Sequence, residues 1–242
     1  MLPQIKVKNL EKSYGGNKVL KGIDLAIEAK KVHAIIGPNG AGKTTAIEIM
    51  LGIRDKDEGN VEYVHLAPGE LGVQLQNVPL FPSLTVKENI ELFSAFYRLS
   101  EQVKNKIPEI LHILELTDAG TKPAGQLSGG QKKRLSIALA ILHEPKVLFL
   151  DEPTADLDPR GRMQVRSLIR KLANEGKAVV ITSHDMDEVA KTADQVFFIK
   201  DGKVIDQGSP ESLLNKFSAP SLEAVFMTLT EENGRENDGQ SL

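Results

Sequence analysis

The chain has 242 residues, 40% of them hydrophobic, so it can bury a substantial core as one domain of two lobes or as two small domains. Its formal net charge is -3 at pH 7, which argues against a nucleic-acid binder that works through a broad basic surface but leaves room for a local basic patch. The absence of cysteine excludes disulfides and thiolate metal sites and is compatible with a reducing cytoplasm.

The sequence gives no sign of a membrane-spanning or targeting segment. Residues 1–6 lack the charged-then-apolar pattern of a secretory signal, and apolar residues never run together for the roughly 18 positions that a membrane helix needs. We therefore expect a chain that spans no membrane by itself.

Two kinds of strand pattern alternate with helical segments along the chain. Apolar and polar residues alternate, as in half-buried strands, over residues 5–10, 20–27 and 61–64. Continuous apolar runs, typical of a parallel sheet covered on both faces, occupy residues 32–36, 147–150, 178–181 and 196–199. This order predicts an α/β domain.

The segment after the run at residues 32–36 fits the phosphate-binding pattern of two glycines followed by lysine and threonine. Glycines let the backbone curl so that successive N–H groups converge on phosphate oxygens at the start of a helix. A chance glycine-rich turn is the alternative, but the pattern lies between a predicted strand and a predicted helix. The predicted nucleotide-binding residues are Gly37, Pro38, Asn39, Gly40, Ala41, Gly42, Lys43, Thr44 and Thr45.

Between residues 77 and 128 the pattern becomes helical. Thr85 and Glu88 form a capping-box pattern that opens a helix with Ile90 and Phe93 on its apolar side, and residues 107–116 continue in the same style. We interpret this stretch as a small helical lobe inserted into the core.

A second candidate anion site lies at Leu127-Ser128-Gly129-Gly130-Gln131, ahead of an apolar stretch of helical length. Unpaired N–H groups and the helix dipole at such a start both favour a phosphate. The basic run at residues 132–134 follows directly, and we interpret it as a solvated helix face rather than a nucleic-acid site.

Together with the upstream phosphate loop, residues 127–131 resemble the signature sequence of the ATP-binding cassette (ABC) family. The resemblance extends over about residues 4 to 230, with every motif in the family's order. It implies a P-loop NTPase (RecA-like) core with an antiparallel β subdomain and an inserted α-helical signature subdomain. The expected organisation is one domain over residues 1–230, with a core lobe at about 1–76 and 145–230, a helical lobe at about 77–144, and a polar tail over 231–242.

The resemblance also implies roles for individual residues. Asp151 and Glu152 end an apolar strand. Taken alone, they could be surface acids at the end of a purely structural strand. By resemblance, Asp151 matches the magnesium partner, and Glu152 matches the residue that polarises the attacking water. His184 matches the switch histidine at the γ-phosphate, and Tyr14 the platform for adenine. Either Gln74 or Gln76 could be the metal-sensing glutamine, and the distance to Leu80 favours Gln76. The remaining matches are Thr44 at Mg²⁺, Asp156 and Asp158 in the dimer-contact loop, and Ser128, Gly129, Gly130 and Gln131 at the ATP of a partner protomer.

The function that the resemblance implies is ATP-driven transport through separate membrane subunits. ATP and Mg²⁺ are the expected ligands, a homodimer or a pair with a related cassette the expected assembly, and the cytoplasmic face of the membrane the expected location. Residues 77–97 would dock the membrane subunits. Residues 220–230 resemble the closing helix of cassettes that serve bacterial exporters of drugs, antibiotics or lipid-linked compounds, the ABC-2-type subfamily, which favours export over import. A soluble cassette ATPase acting on ribosomes, DNA ends or a protein complex, and a regulatory module without turnover, are the alternatives. No nucleic-acid partner is expected.

Overall fold

The computed structural model describes residues 3–67, 69–74 and 80–235 as two β-sheets flanked by helices. The strands are β1 Pro3–Tyr14, β2 Asn17–Glu28, β3 Val32–Ile36, β4 Glu58–Tyr63, β5 Leu71–Gln74, β6 Val147–Asp151, β7 Ala178–Thr182, β8 Gln195–Lys200 and β9 Lys203–Gly208. The helices are α1 Lys43–Met50, α2 Val86–Phe96, α3 Glu101–Lys104, α4 Ile107–Ile113, α5 Gly129–Ile141, α6 Pro159–Asn174, α7 Met186–Thr192, α8 Pro210–Phe217 and α9 Leu222–Arg235.

The smaller sheet is antiparallel, with strand order β2-β1-β4. Its alternation buries one face, which includes Ile5 and Val7 of β1 and Ile23, Leu25 and Ile27 of β2. These strands confirm the alternating segments of the sequence, although β4 begins at Glu58 and ends one residue before Val64.

The larger sheet has the order β5-β6-β7-β3-β8-β9, and every neighbouring pair is parallel except β8 with β9. All five residues of β3 and all five of β7 are buried, because both faces of the sheet are covered. Along β6, Leu148 and Leu150 face the core shared with α5 and α6, whereas Phe149 faces the core shared with α1 and the antiparallel sheet. The predicted α/β fold class is confirmed.

The inserted helices lie between β5 and β6 in the chain. Helix α2 begins with the predicted capping box, in which the backbone N–H of Glu88 donates to the Thr85 hydroxyl and the Glu88 side chain accepts from the Thr85 N–H. Helix α4 ends at Ile113, three residues before the predicted end, and Glu115 beyond it has a left-handed φ of 50°. The limits of the two lobes remain a prediction.

Helix α9 ends in the polar stretch that begins at residue 231, because it continues to Arg235. The rest of the predicted polar tail lies outside the described residues. The apolar residues Leu222, Val225 and Leu229 of α9 are buried against the larger core, so packing at the start of the helix supports its extension into the polar stretch.

Gly72 in β5 offers a direct test of how closely this strand packs against helix α5 and the loop that follows it. A Cβ there would lie 2.5 Å from the carbonyl oxygen of Ala140 and 2.7 Å from Cγ of Pro145. Gly72→Ala is expected to lower the free energy of unfolding by about 1–3 kcal/mol through overpacking. Denaturant unfolding measures this, with the exposed neighbour Val73→Ala as control. Equal stability of the two variants would contradict the contact.

Candidate functional site

The loop between β3 and α1 has a backbone that requires its glycines. Gly40 and Gly42 have φ angles of 79° and 101°, in the left-handed region that other residues rarely adopt. A Cβ on Gly37 would lie 1.9 Å from the carbonyl oxygen of Ile199. The loop therefore forms a backbone cradle that ends in Gly42, the residue that caps helix α1.

Lys43 lies inside this cradle. Its ammonium donates to the carbonyl oxygens of Gly37, at 2.7 Å, and Pro38, at 2.9 Å. Burial lowers the pKa of Lys43, while the carboxylates of Glu152 and Asp151 act in the opposite direction. The lysine thus faces the acid pair across the mouth of the loop.

Asp151 and Glu152 are held by the neighbouring strand. Parallel pairing of β6 with β7 sets Asp151 opposite Thr182. The Thr182 hydroxyl donates to Oδ1 of Asp151 and accepts the backbone N–H of Glu152 at 3.1 Å. Glu152 itself has a φ of 50°, an uncommon angle for a residue with a Cβ, and this angle turns its side chain away from the strand direction.

His184 contacts the same glutamate from the loop after β7. Its Nδ1 lies 2.9 Å from Oε1 of Glu152, and its side chain remains 81% exposed. This hydrogen bond and the negative charge of Glu152 raise the pKa of His184. The imidazole is therefore exposed to an approaching ligand while its inner nitrogen is held by the carboxylate.

Helix α5 begins at the second predicted anion site. Ser128 is its N-cap, and the hydroxyl of Ser128 accepts the N–H of Gln131 at 3.2 Å while Oε1 of Gln131 accepts the N–H of Ser128 at 3.1 Å. Ser128 and Gly129 are exposed, whereas the Gln131 side chain is committed to the cap. Gly130 lies against Leu157.

The two acids of the following loop have different surroundings. Asp158 is the N-cap of helix α6, and its Oδ1 accepts the N–H of Gly161 at 2.7 Å. Asp156 is exposed and has a left-handed φ of 61°.

A cleft of about 1060 Å³ brings most of these features together. The predicted residues that line it are Gly37, Asn39, Lys43, Thr44, Gly129, Asp151, Glu152, Asp156 and His184. The other predicted residues of the phosphate loop and the signature flank this lining, and Ala41 and Gly42 are buried. One wall comes from the carboxyl ends of β3, β6 and β7, the position where ligands bind in open α/β sheets, and another from the start of α5.

Tyr14 is not among the residues that line this cleft. It ends β1 with its side chain 39% exposed, and the Arg54 guanidinium lies 5.2 Å and the Lys12 ammonium 5.6 Å from its ring centroid. Both cations are anchored, Arg54 on Glu48 and Lys12 on Asp57, each at 2.7 Å. The ring is therefore held in place by cation–π contacts.

Of the two candidate glutamines, Gln76 lies outside the described residues. Gln74 is fully buried at the end of β5, and its Nε2 lies 3.4 Å from the carbonyl oxygen of Asp151. It adjoins a small cavity that Thr44 and Asp151 also line.

The prediction that residues 132–134 form a solvated helix face was wrong for two of the three. Lys132 is exposed, but the Lys133 ammonium reaches the Asp151 carbonyl oxygen at 3.0 Å, and Arg134 contacts Oε1 of Gln164 at 3.3 Å. The local sequence does not distinguish Lys133 from Lys132, because the contact of Lys133 is with a strand residue 18 positions further along the chain. Thr182 was likewise not singled out, since its role depends on pairing between strands.

Comparison with known proteins identifies the class of this chain. Residues 20–155 match the family model described as ABC transporter. The chain therefore belongs to the ABC transporter family and carries the ATP-binding and ATP-hydrolysing domain of that family.

Individual relatives indicate which members of the family this chain is similar to. Daunorubicin resistance ATP-binding protein DrrA3 of Streptomyces coeruleorubidus is 35% identical over 234 residues, which cover 92% of this chain and 73% of that protein. ABC transporter G family member 20 of Dictyostelium discoideum is 34% identical over 242 residues, and the chain spans only 33% of its length. The ADP conformation of an ATP-binding cassette of an ABC transporter superposes with a TM-score of 0.79 at 28% identity, covering 96% of this chain and all of that one. The resemblance to the drug and antibiotic exporter ATPases is thus confirmed.

Thr182 yields the first prediction for the site. Thr182→Val keeps the shape of the side chain but removes the hydroxyl that joins Asp151 to the Glu152 N–H, and it leaves both groups short of a partner. We expect ATP turnover to fall about tenfold or more, with Thr182→Ser close to the unmodified rate. Steady-state phosphate release measures both. Unchanged turnover in the valine variant would show that the bridge is dispensable.

His184 yields the second prediction for the site. Because Glu152 raises the pKa of His184, Glu152→Gln should move that pKa down towards the ordinary histidine value. Protonation of His184 favours the contact below its own pKa, and the contact weakens as pH rises through it. NMR titration of the five histidines follows this directly, with the buried His33 as internal control. An unchanged pKa of His184 in the Glu152→Gln variant would contradict the ion pair.

Proposed function

We propose that this chain is the ATP-hydrolysing subunit of an exporter whose membrane subunits are separate chains. The observation that carries the proposal is the cleft in which a glycine cradle, a lysine, an acid pair and a histidine meet. The cycle works through ATP-dependent head-to-tail pairing of two cassettes, and the pair is a homodimer or contains a related chain.

The phosphate loop binds the triphosphate. Backbone N–H groups of residues 37–45 surround the phosphates at the start of α1, where the helix dipole adds to the attraction. Lys43 exchanges its bonds to the loop carbonyls for the β- and γ-phosphates. The pre-positioned ring of Tyr14 stacks on the adenine, a modest contribution of about 1 kcal/mol.

The oxygen donors of the cleft fit Mg²⁺. Thr44 and Asp151 line the same cleft, and a hydroxyl and a carboxylate are ligands that this hard cation accepts. Within the described residues no cluster of three or more His, Cys, Asp or Glu could hold a metal alone. Thr44 and Asp151 would therefore hold Mg²⁺ together with oxygens of the bound nucleotide. When bound, Mg²⁺ neutralises charge on the phosphates. Gln76 is the third proposed contact, by resemblance.

Glu152 orients and polarises the attacking water, and His184 contacts the γ-phosphate. The hydrogen bond between them holds the imidazole while its outer edge faces the cleft. Thr182 fixes the backbone of Glu152, so the carboxylate keeps its direction without an adjustment at the moment of reaction. When the γ-phosphate leaves after hydrolysis, His184 loses its contact with it.

The signature residues complete the site of a partner cassette. The exposed start of α5 offers Ser128, Gly129 and Gly130 to the triphosphate bound by the partner, with Gln131 maintaining the cap. Asp156 and Asp158 contact the partner from the adjacent loop. ATP then closes the pair, and hydrolysis reopens it, which is a ligand-driven population shift.

An aromatic surface on the inserted lobe supports a membrane partner. Phe81, Phe96 and Tyr97 are exposed by 40%, 67% and 42%, and Phe93 packs among their rings. Exposed apolar groups of this size mark interaction sites. The described helices include none long and apolar enough to cross a membrane, so the partner would supply the pathway and hold this chain at the cytoplasmic face.

Export is the direction that the relatives favour, since one is named as a daunorubicin resistance ATP-binding protein. An importer cassette and a soluble cassette acting on a non-membrane complex are the alternatives. The aromatic surface and the exporter-like relative favour a membrane partner over the second.

Glu152→Gln tests the proposal. The amide keeps the size of the side chain but is a poor proton acceptor, so ATP should bind while turnover falls by about 100-fold or more and an ATP-bound pair accumulates. Purification of the tagged variant from its native cells, with membranes solubilised in ATP–Mg²⁺, should recover a polytopic membrane protein in stoichiometric amount.

The controls separate the steps. Glu152→Gln combined with Lys43→Ala should lose the ATP-dependent pair, and the exposed Glu175→Gln should behave like the unmodified chain. Recovery from the soluble fraction with ribosomal or DNA-associated partners would refute the transporter proposal and leave the ATPase standing. Full turnover in Glu152→Gln would refute the role of this glutamate.

A further inference from the structure

We infer that Lys133, in the second turn of helix α5 (the signature helix), is a positioning residue for ATP hydrolysis, because it holds the peptide that joins Asp151 to Glu152. The inference rests on the proposed role of Glu152. It assigns a function to a lysine that the residue pattern marks only as part of a basic run.

The contact joins two parts of the site. Lys133 lies three residues after Gly130 on helix α5, and its ammonium donates to the Asp151 carbonyl oxygen at 3.0 Å. That carbonyl belongs to the same peptide whose N–H, on Glu152, is bound by Thr182 at 3.1 Å. The peptide is therefore fixed at its carbonyl by the signature helix and at its N–H by strand β7.

Fixation matters because the next residue is in an uncommon conformation. Glu152 has a φ of 50°, in the left-handed region that is unfavourable for a residue with a Cβ. Such a turn persists when its surroundings over-determine it. Rotation of the peptide about its neighbouring bonds would move the Glu152 carboxylate away from His184, and the Lys133 and Thr182 contacts oppose that rotation together.

The position of the charge is consistent with this role. Lys133 is half-buried and lines the cleft together with Asp151, Glu152 and Asp156; burial lowers its pKa, and the negative charges of these three acids act in the opposite direction. Burying a cation without partners is unfavourable, so these acids compensate it. The ammonium donates to a backbone carbonyl rather than to one of these carboxylates, which leaves the carboxylate of Glu152 to His184.

The geometry also links the position of the signature residues at the start of α5 to ATP hydrolysis. Gly130 and Lys133 lie within one turn of the same helix, so a shift of the helix start by a partner's nucleotide moves the Lys133 anchor as well. The anchor then transmits the shift to the Asp151 carbonyl. Hydrolysis becomes sensitive to docking of the signature helix through one hydrogen bond.

The test compares two half-buried lysines that each donate to a backbone carbonyl. Lys133→Met should lower kcat about tenfold or more, as loss of a charge-assisted hydrogen bond predicts, with KM and the Kd for a fluorescent ATP analogue within about twofold of the unmodified values. Lys177→Met is the matched control, because Lys177 contacts the Pro145 carbonyl at 3.0 Å, remote from the cleft. Its thermal unfolding should change similarly while its kcat stays unchanged.

Rescue distinguishes positioning from folding. Lys133→Arg and Lys133→Gln keep a donor, so we expect both to recover part of kcat, and either one carries the test if the methionine variant does not fold. Equal kcat in Lys133→Met and Lys177→Met, or a weakened Kd in proportion to the loss of kcat, would overturn the inference. The turnover of Glu152→Gln is measured alongside. If this variant retains turnover, the proposed role of Glu152 is wrong. If it is inactive while Lys133→Met is fully active, only the inference about Lys133 is wrong.

Discussion

The parallel pairing of β6 with β7 is the constraint on which the site depends. It sets Asp151 beside Thr182, and one threonine hydroxyl then serves both the carboxylate of Asp151 and the N–H of Glu152. A slip of one residue would turn these side chains to the other face of the sheet, because successive residues of a strand alternate. The burial of both strands on both faces makes such a slip costly, so the packing of the sheet secures the chemistry at its edge.

Charge in the cleft is balanced locally rather than by the chain as a whole. Lys43 and Lys133 approach Asp151 and Glu152 from two directions, one from the phosphate loop and one from the signature helix. Each ammonium rests on backbone carbonyls, so neither is committed to a carboxylate. In the proposed mechanism, Lys43 exchanges these carbonyl partners for phosphate, and the acids are left to act on the metal and the water.

The sequence predicted the strands and the phosphate loop well because their signals are local. Alternation or continuous burial identifies a strand from a few residues, and the glycines of the loop have a specific steric reason. Residues whose role depends on pairing across the fold were harder: Thr182 is 31 positions from Asp151, and nothing near it in sequence indicates the bridge. Helix α9 also continues into the polar stretch that begins at residue 231, because a polar sequence continues as a helix once its preceding turn is packed.

By itself, the sequence determined the class of this protein: the order of phosphate loop, signature, acid pair and histidine specifies a nucleotide site on an α/β core, since each element needs particular residue types at short range. Only the tertiary structure decided how these elements are joined. It showed that Lys133, predicted to lie on a solvated helix face, contacts the peptide between Asp151 and Glu152, and that Tyr14 lies beside two anchored cations. Such contacts arise where separate elements meet, and their partners lie too far apart in the chain for any local pattern to encode.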